Sequence, residues 1–248
     1  MLYNPARFLP AGDSSLIMEF GDRIDPNIHE RIRSMLRALE KHPELKIEEV
    51  LPTYRSLHLF YSPLLTDMEE LTARLKEIEK ELPSEPSSDK RIVEIPTLYG
   101  GEYGPDLLFV AKSNHLTPEE VIEIHHKTDY LLYMLGFTPG FSYLGGMNER
   151  IATPRLTKPR TIIPAGSVGI AGSQTGIYPI DSPGGWQLIG RTPITLYDPH
   201  AETPVFLKPG DIVRFVPITK EDYLRIQQEV KAGIYSYHIL VEEVQSAK

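Results

Sequence analysis

The chain of 248 residues contains no cysteine. No disulfide, thiolate nucleophile or cysteine-ligated metal can be built from it. Positive charge is in deficit, with 26 Lys and Arg against 34 Asp and Glu and a formal net charge of -8. That weighs against duplex nucleic acid as a partner, which wants a concentrated basic face. No run approaches roughly 18 uninterrupted apolar residues, so no membrane-spanning helix is expected. A basic N-terminal region followed by a long apolar run is also missing, so no secretory signal is expected and the cytoplasm is the expected location. Phosphate-loop spacing is absent too: Gly166 to Gly172 holds close glycines but no following Lys-Ser/Thr.

What the chain does have is a concentration of glycine. Of its 18 glycines, 11 fall between Gly136 and Gly190, and the single tryptophan, Trp186, lies in the same stretch. Short apolar runs alternate with the glycines: Ile162-Ile163, Val168 to Ile170, Ile177-Tyr178, Trp186 to Ile189 and Ile194 to Tyr197. Such runs between Gly/Pro turns read as short strands of a compact barrel or sandwich. The glycines then serve a tightly curled sheet, a wall of backbone groups for a ligand or partner, or both.

Upstream, the periods are different. SLIMEF, within Phe8 to Phe20, reads as a strand after the Gly12-Asp13 turn. Ile28, Ile32, Met35, Leu36 and Leu39 recur at helical spacing over Pro26 to His42. Leu57 and Leu59 alternate with His58 and Phe60 within Val50 to Tyr61, and Leu45 to Leu51 offers a further strand. A second helix is expected over Leu65 to Leu82, with Met68, Leu71, Leu75, Ile78 and Leu82 as its apolar stripe. These elements predict a small α/β sandwich with helices on one side of an antiparallel sheet, over residues 1–85. The polar, proline-containing segment Pro83 to Lys90 is the expected linker. A second domain is expected over 91–248. It opens on a strand at Ile92 and continues with a short helix at Asp106 to Ala111. A helix capped by Thr117 and Glu120 and a buried strand at Tyr130 to Leu135 follow. Late strands are expected at Val205 to Leu207 and Ile212 to Pro217. A helix from Thr219 to Ala232 and a closing strand or tail at Ile239 to Val244 complete it.

Candidate chemistry gathers in the second domain. His125 and His126 follow a helix without partners at metal-ligand spacing, and no metal site is expected. His125 reads either as a proton-transfer or hydrogen-bonding group or as a core histidine. Arg155, Lys158 and Arg160 lie in TPRLTKPRT, which Pro154 and Pro159 stiffen. A stiff loop with three cations suits a carboxylate, carbamate or phosphate, an acidic partner surface, or plain solvation. Trp186 closes a barrel or faces a ligand, and Gln187 beside it is placed to orient an amide. Ser142 lacks the Gly-x-Ser-x-Gly elbow and reads as a turn or packing serine. Phe137, Pro139, Phe141 and Tyr143 read as an apolar rim.

Several of these segments are recognisable together. GGEYGPDL (Gly100 to Leu107), LTPEEVIEIH (Leu116 to His125), YMLGFTPGFSYLGG (Tyr133 to Gly146), ATPR (Ala152 to Arg155), PAGSVGIAGSQTGIYP (Pro164 to Pro179) and SPGGWQLIGRTP (Ser182 to Pro193) are the long ones. With LIMEFG and PTYRSLHLFY near the N-terminus, they resemble the family of the B-type subunit of the bacterial ATP-dependent 5-oxoprolinase. That family includes the sporulation-kinase inhibitor KipI and the protein long labelled allophanate hydrolase subunit 1. The resemblance implies an α+β chain, in which a small ferredoxin-like-type α/β domain precedes a cyclophilin-like β-barrel. It implies a C-type partner of similar architecture and an A-type partner, which together open the lactam of 5-oxoproline to glutamate with ATP hydrolysis. The ATP site is expected to be completed or supplied by those partners. Two alternatives are docking on a sensor histidine kinase and service as a partner in an allophanate or urea amidolyase or carboxyltransferase. On this basis His125, Arg155 and Gln187 are the expected catalytic residues, with Lys158, Arg160, Gly169, Gly172 and Trp186 contacting substrate.

Overall fold

The computed structural model describes residues 1–83, 90–136 and 138–242. They fall into two compact units, one over 1–83 and one over 90–242. Most of the expected linker, residues 84–89, lies outside the described residues, as does Phe137 of the expected rim.

In the first unit, strands β1 (Leu2–Pro10), β2 (Ser15–Gly21), β3 (Ile47–Pro52) and β4 (Ser56–Tyr61) form an antiparallel sheet in the order β1-β2-β4-β3. Helices α1 (Pro26–Leu39) and α2 (Met68–Lys80) pack on it. The alternation in β2 and β4 turns Leu16, Met18, Leu57 and Leu59 inward, where Ile32 and Leu75 of the helices cover them. Glu79 ties the layers together, since its Oε1 accepts from the Ala6 amide at 2.9 Å and from Arg31. Read from β2, the elements run strand, helix, strand, strand, helix. The remaining edge strand, β1, comes from the front of the chain and pairs with β2, which makes the unit an α+β layer of two helices on a four-stranded antiparallel sheet. The second helix begins three residues later than the periodicity predicts, because Asp67 caps it by accepting from the Glu70 amide at 2.8 Å.

The second unit is a closed barrel with helices on its outside. Its strands are β5 (Lys90–Tyr99), β6 (Asp129–Leu135), β7 (Ser142–Gly145), β9 (Ser167–Ala171), β10 (Gln174–Ile177), β12 (Gln187–Arg191) and β13 (Ile212–Pro217). They run in the order β12-β9-β10-β7-β6-β13-β5, and β12 pairs back to β5 to close the ring. β14 (Ile239–Glu242) adds to β5 from outside, and β8 (Arg160–Ile163) with β11 (Ser182–Gly184) makes a separate ribbon. The core is filled by Ile95, Leu132, Val168, Ile170, Val213 and Phe215. Helices α3 (Leu107–Ser113), α4 (Pro118–His126) and α5 (Lys220–Lys231) complete the unit. Thr117 and Glu120 form the expected reciprocal cap on α4, at 3.2 and 2.8 Å. The apolar runs at Ile194 to Tyr197 and Val205 to Leu207 do not extend into strands and meet only in the bridge Tyr197–Val205. Pro193 and Pro204 flank them and carry no N–H for a ladder. Among the described residues no helix is long and apolar enough to cross a membrane.

Candidate functional site

A cleft of about 410 Å³ opens beside the β8–β11 ribbon. Aromatic residues dominate its lining. Phe141 and Tyr143 enter from the start of β7, Tyr178 from the end of β10, and Trp186 from the start of β12. Phe141 meets Tyr143, Tyr178 and Trp186 edge to face at centroid distances of 5.2, 5.5 and 5.6 Å. Room for the indole comes from missing side chains: a Cβ on Gly169 would lie 3.2 Å from the Trp186 Cβ, and one on Gly176 would lie 3.1 Å from its ring. Burial pushes the Tyr178 phenol up, while the charges of Arg155 and Arg160 pull the other way.

Arg155 lines this cleft with its guanidinium 5.9 Å from the centre of the Trp186 ring. Its side chain is exposed, and among the described residues no carboxylate pairs with it. The backbone on each side is pinned. Gln187 Nε2 donates to the Pro154 carbonyl at 2.9 Å, and the Leu156 amide donates to the Gly185 carbonyl at 2.7 Å. Gln187 is therefore a buried strut under the arginine loop, and its Oε1 has no hydrogen-bond partner among the described residues.

The other expected residues are placed differently. Arg160 does not face the cleft as a free donor. Its Nη2 pairs with Asp106 Oδ1 at 2.8 Å and its Nη1 donates to the Trp186 carbonyl at 3.3 Å. Asp106 Oδ2 accepts the Leu188 amide at 2.7 Å, so one carboxylate fastens the ribbon to β12. Lys158 is exposed on the same loop and is not among the cleft-lining residues. The segment Gly166 to Gly176 is the β9–β10 hairpin, and its backbone groups are largely spent in pairing. Gly172, at φ +60°, makes the turn and exchanges backbone hydrogen bonds with Thr153 at 2.8 and 3.1 Å. Gly169 is buried beneath Trp186 and presents no open wall.

His125 is not among the cleft-lining residues. It is fully buried in the barrel, between Phe215 and Tyr130. Thr175 Oγ1 donates its one proton to the Gly169 carbonyl at 3.1 Å, so it accepts from His125 Nε2 at 2.9 Å. Nδ1 then accepts from the Tyr99 hydroxyl at 2.8 Å. Burial, with the charge of His126 nearby, pushes the ring down to about 3, and it stays neutral. Sequence reasoning missed Tyr178 as a cleft residue and Asp106 as a fastener. Both lie in the recognisable motifs, IYP and YGPDL, but far in sequence from the residues they meet. Among the described residues no group of three His, Asp or Glu is arranged to hold a metal.

Against known proteins, residues 6–207 match the family described as carboxyltransferase domain, subdomain C and D. Over 232 residues the chain is 46% identical to the B-type subunit of 5-oxoprolinase from Bacillus subtilis, covering 88% of this chain and 95% of that protein. A conserved uncharacterized protein of Pyrococcus horikoshii is 48% identical, with 88% of this chain and 100% of that one covered at a TM-score of 0.52. The Kluyveromyces lactis urea carboxylase shares the fold at a TM-score of 0.77 and 23% identity, over 96% of this chain and 24% of its own.

Proposed function

The chain belongs to the carboxyltransferase-domain family, subdomains C and D, within the group of 5-oxoprolinase B-type subunits, and on that premise we propose that it serves as such a component of an ATP-dependent 5-oxoprolinase. In this reading it acts with C-type and A-type partners to open 5-oxo-L-proline to L-glutamate. One observation in the structure carries the proposal: a small aromatic cleft with one exposed cation, Arg155, at its wall. 5-Oxoproline is a flat five-membered ring bearing a carboxylate, which is the complement of that cleft.

The chemistry follows from the lactam. Its amide is resonance-stabilised, and water attacks slowly until the oxygen is activated. Transfer of the ATP γ-phosphoryl group to that oxygen releases ADP and makes the ring carbon electrophilic. Water then adds and the C–N bond breaks, leaving an acyl phosphate that a second water hydrolyses to glutamate and phosphate. Two waters are consumed overall, one for the lactam and one for the phosphoanhydride. Arg155 takes the substrate carboxylate through its planar fork of donors. Trp186, Tyr178 and Phe141 hold the ring and exclude water. Gln187 positions the Arg155 loop, and Lys158 extends positive charge along the approach. Partner chains complete the reacting centre, since among the described residues no general base lines the cleft.

The test is ATP-dependent release of glutamate from 5-oxoproline by the purified chain, alone and with its A-type and C-type partners. Activity is expected only in the assembled mixture. Turnover by the isolated chain, or none in a mixture shown to assemble, defeats the proposal.

A further inference from the structure

β14 leaves a sheet edge open. It adds to β5 in antiparallel register without a bulge, Ile239 opposite Val93 and Glu242 opposite Lys90. Among the described residues no strand pairs with its outer side. Its side chains are apolar and exposed on both faces, Ile239 at 39%, Leu240 at 47% and Val241 at 62%. An open strand edge is a template for another chain, and proteins blunt such edges with proline, charge or bulges. The edges of the first unit are blunted in this way: β1 carries Pro5, Arg7 and Pro10, and β3 carries Glu48, Glu49 and Pro52. Between Ile239 and Val241 there is no such device.

Pairing with β5 fixes which backbone groups are free. The Glu94 amide donates to the His238 carbonyl at 3.0 Å. Hydrogen-bonded pairs alternate along an antiparallel ladder, so His238, Leu240 and Glu242 point their N–H and C=O groups at β5. Those of Ile239 and Val241 point away from it. We infer that this edge pairs with the same edge of a second copy of the chain, antiparallel, about a two-fold axis at Leu240. In that register Ile239 of each copy faces Val241 of the other, and both exchange N–H···O bonds. An axis at Ile239 or at Val241 pairs only one of the two within the strand. The axis at Leu240 also sets that residue against its own counterpart as a non-hydrogen-bonded pair, with Cα atoms about 4.5 Å apart. At each end it places His238 opposite Glu242, both exposed, an imidazole donor against a carboxylate acceptor. The strand is thus complementary to itself in backbone, apolar contact and end groups. The pairing does not rest on the proposed function.

Sedimentation velocity of the full chain at rising protein concentration tests the pairing. Over about 5 to 500 μM a reversible dimer is expected, with Kd on the order of 10–100 μM, because a four-residue edge buries less than a standard interface. Val241→Pro removes an outward N–H that β5 does not use, and weakens the dimer by about tenfold or more. Val241→Lys, a charge at an exposed edge position, does the same and keeps the test decisive if the proline variant fails to fold. The chain has no cysteine, so single cysteines report the register. Under oxidation by copper phenanthroline, Leu240→Cys is expected to cross-link into a dimer, since its Cα separation suits a disulfide. Val241→Cys, set against Ile239, cross-links far more slowly. A chain that stays monomeric throughout that range, or a dimer that both the proline and lysine variants leave intact, overturns the inference. So does cross-linking through Leu240→Cys no faster than through Val241→Cys.

Discussion

Arg155 and His125 are the residues most alike in the sequence argument and least alike in the structure. One is exposed beside an aromatic cleft; the other is sealed inside a barrel. Replacing Arg155 by alanine in the assembled complex is expected to raise KM for 5-oxoproline about 10- to 100-fold, the loss of a charge-assisted contact of ~1.5–3 kcal/mol. Lysine at that position recovers part of it, and 2-pyrrolidone, which lacks the carboxylate, is indifferent to both changes. Steady-state kinetics with the two lactams reads this directly. For His125 the expected effect is on stability. Its ring is neutral in the fold down to about 3, whereas in the unfolded chain it takes a proton near 6.5. Stability from this residue is therefore complete above pH 6.5 and falls as pH drops toward 3, by ~1.4 kcal/mol per unit. Urea unfolding of the barrel unit at several pH values is expected to show that slope, and His125→Gln to flatten it even though the variant is weaker at pH 7. A pH–rate profile whose shape changes in His125→Gln would return the residue to the chemistry.

At the scale of elements, the ribbon beside the cleft depends on one side chain. Asp106 holds Arg160 of β8 and the Leu188 amide of β12. Asp106→Ala leaves a half-buried guanidinium and a buried amide without their acceptor, a cost of about 2–3 kcal/mol. Thermal unfolding is expected to show the loss, and KM to rise with it as the cleft wall loosens. This dependence also marks the limit of what was legible in the sequence. The stripe Ile28, Ile32, Met35 announces α1, the Thr117–Glu120 pair announces the start of α4, and the glycine-punctuated runs announce the barrel strands. Each of those signals sits within a few residues. β1 escaped because Asn4 and Pro5 break its alternation at a sheet edge. Arg160 looked like a free cation because its partner lies 54 positions away. The two readings of His125 stayed open in the sequence because nothing near it there reveals that Tyr99, Thr175 and Phe215 surround it. The three cations of the Arg155 loop were legible; the rings beside Arg155 come from or next to three separate strands.

Among the described residues each unit has its own core, Ala6 to Ile78 in the first and Val93 to Ile226 in the second, where a smaller cluster runs from Phe141 to Leu188 beside the cleft. Residues 1–85 and 91–248, expressed separately, are expected to fold and to unfold cooperatively by circular dichroism, because each buries its own apolar face. Loss of structure in either fragment counts against two autonomous domains. The barrel has a single seam where β12 meets β5, with Gly190 opposite Tyr99. A Cβ on Gly190 would lie 2.9 Å from the Leu98 carbonyl oxygen. Gly190→Val is expected to hold the seam apart, giving insoluble protein or a loss of the cooperative transition for the second unit while the first persists.

β5 touches three strands: β13 alongside it in parallel, β14 outside, and β12 at the seam. All three are made after it. As the chain leaves the ribosome, the first sheet has every partner it needs once α2 has emerged. β5 has none until Gly190 and then Ile212 follow. During that interval Ile92, Val93 and Ile95 are an unpaired apolar edge, the kind of segment that pairs with whatever strand is nearest. Synthesis rate and chaperone supply thus bear on the second unit far more than on the first, and slowed translation after Tyr99 lengthens the hazard.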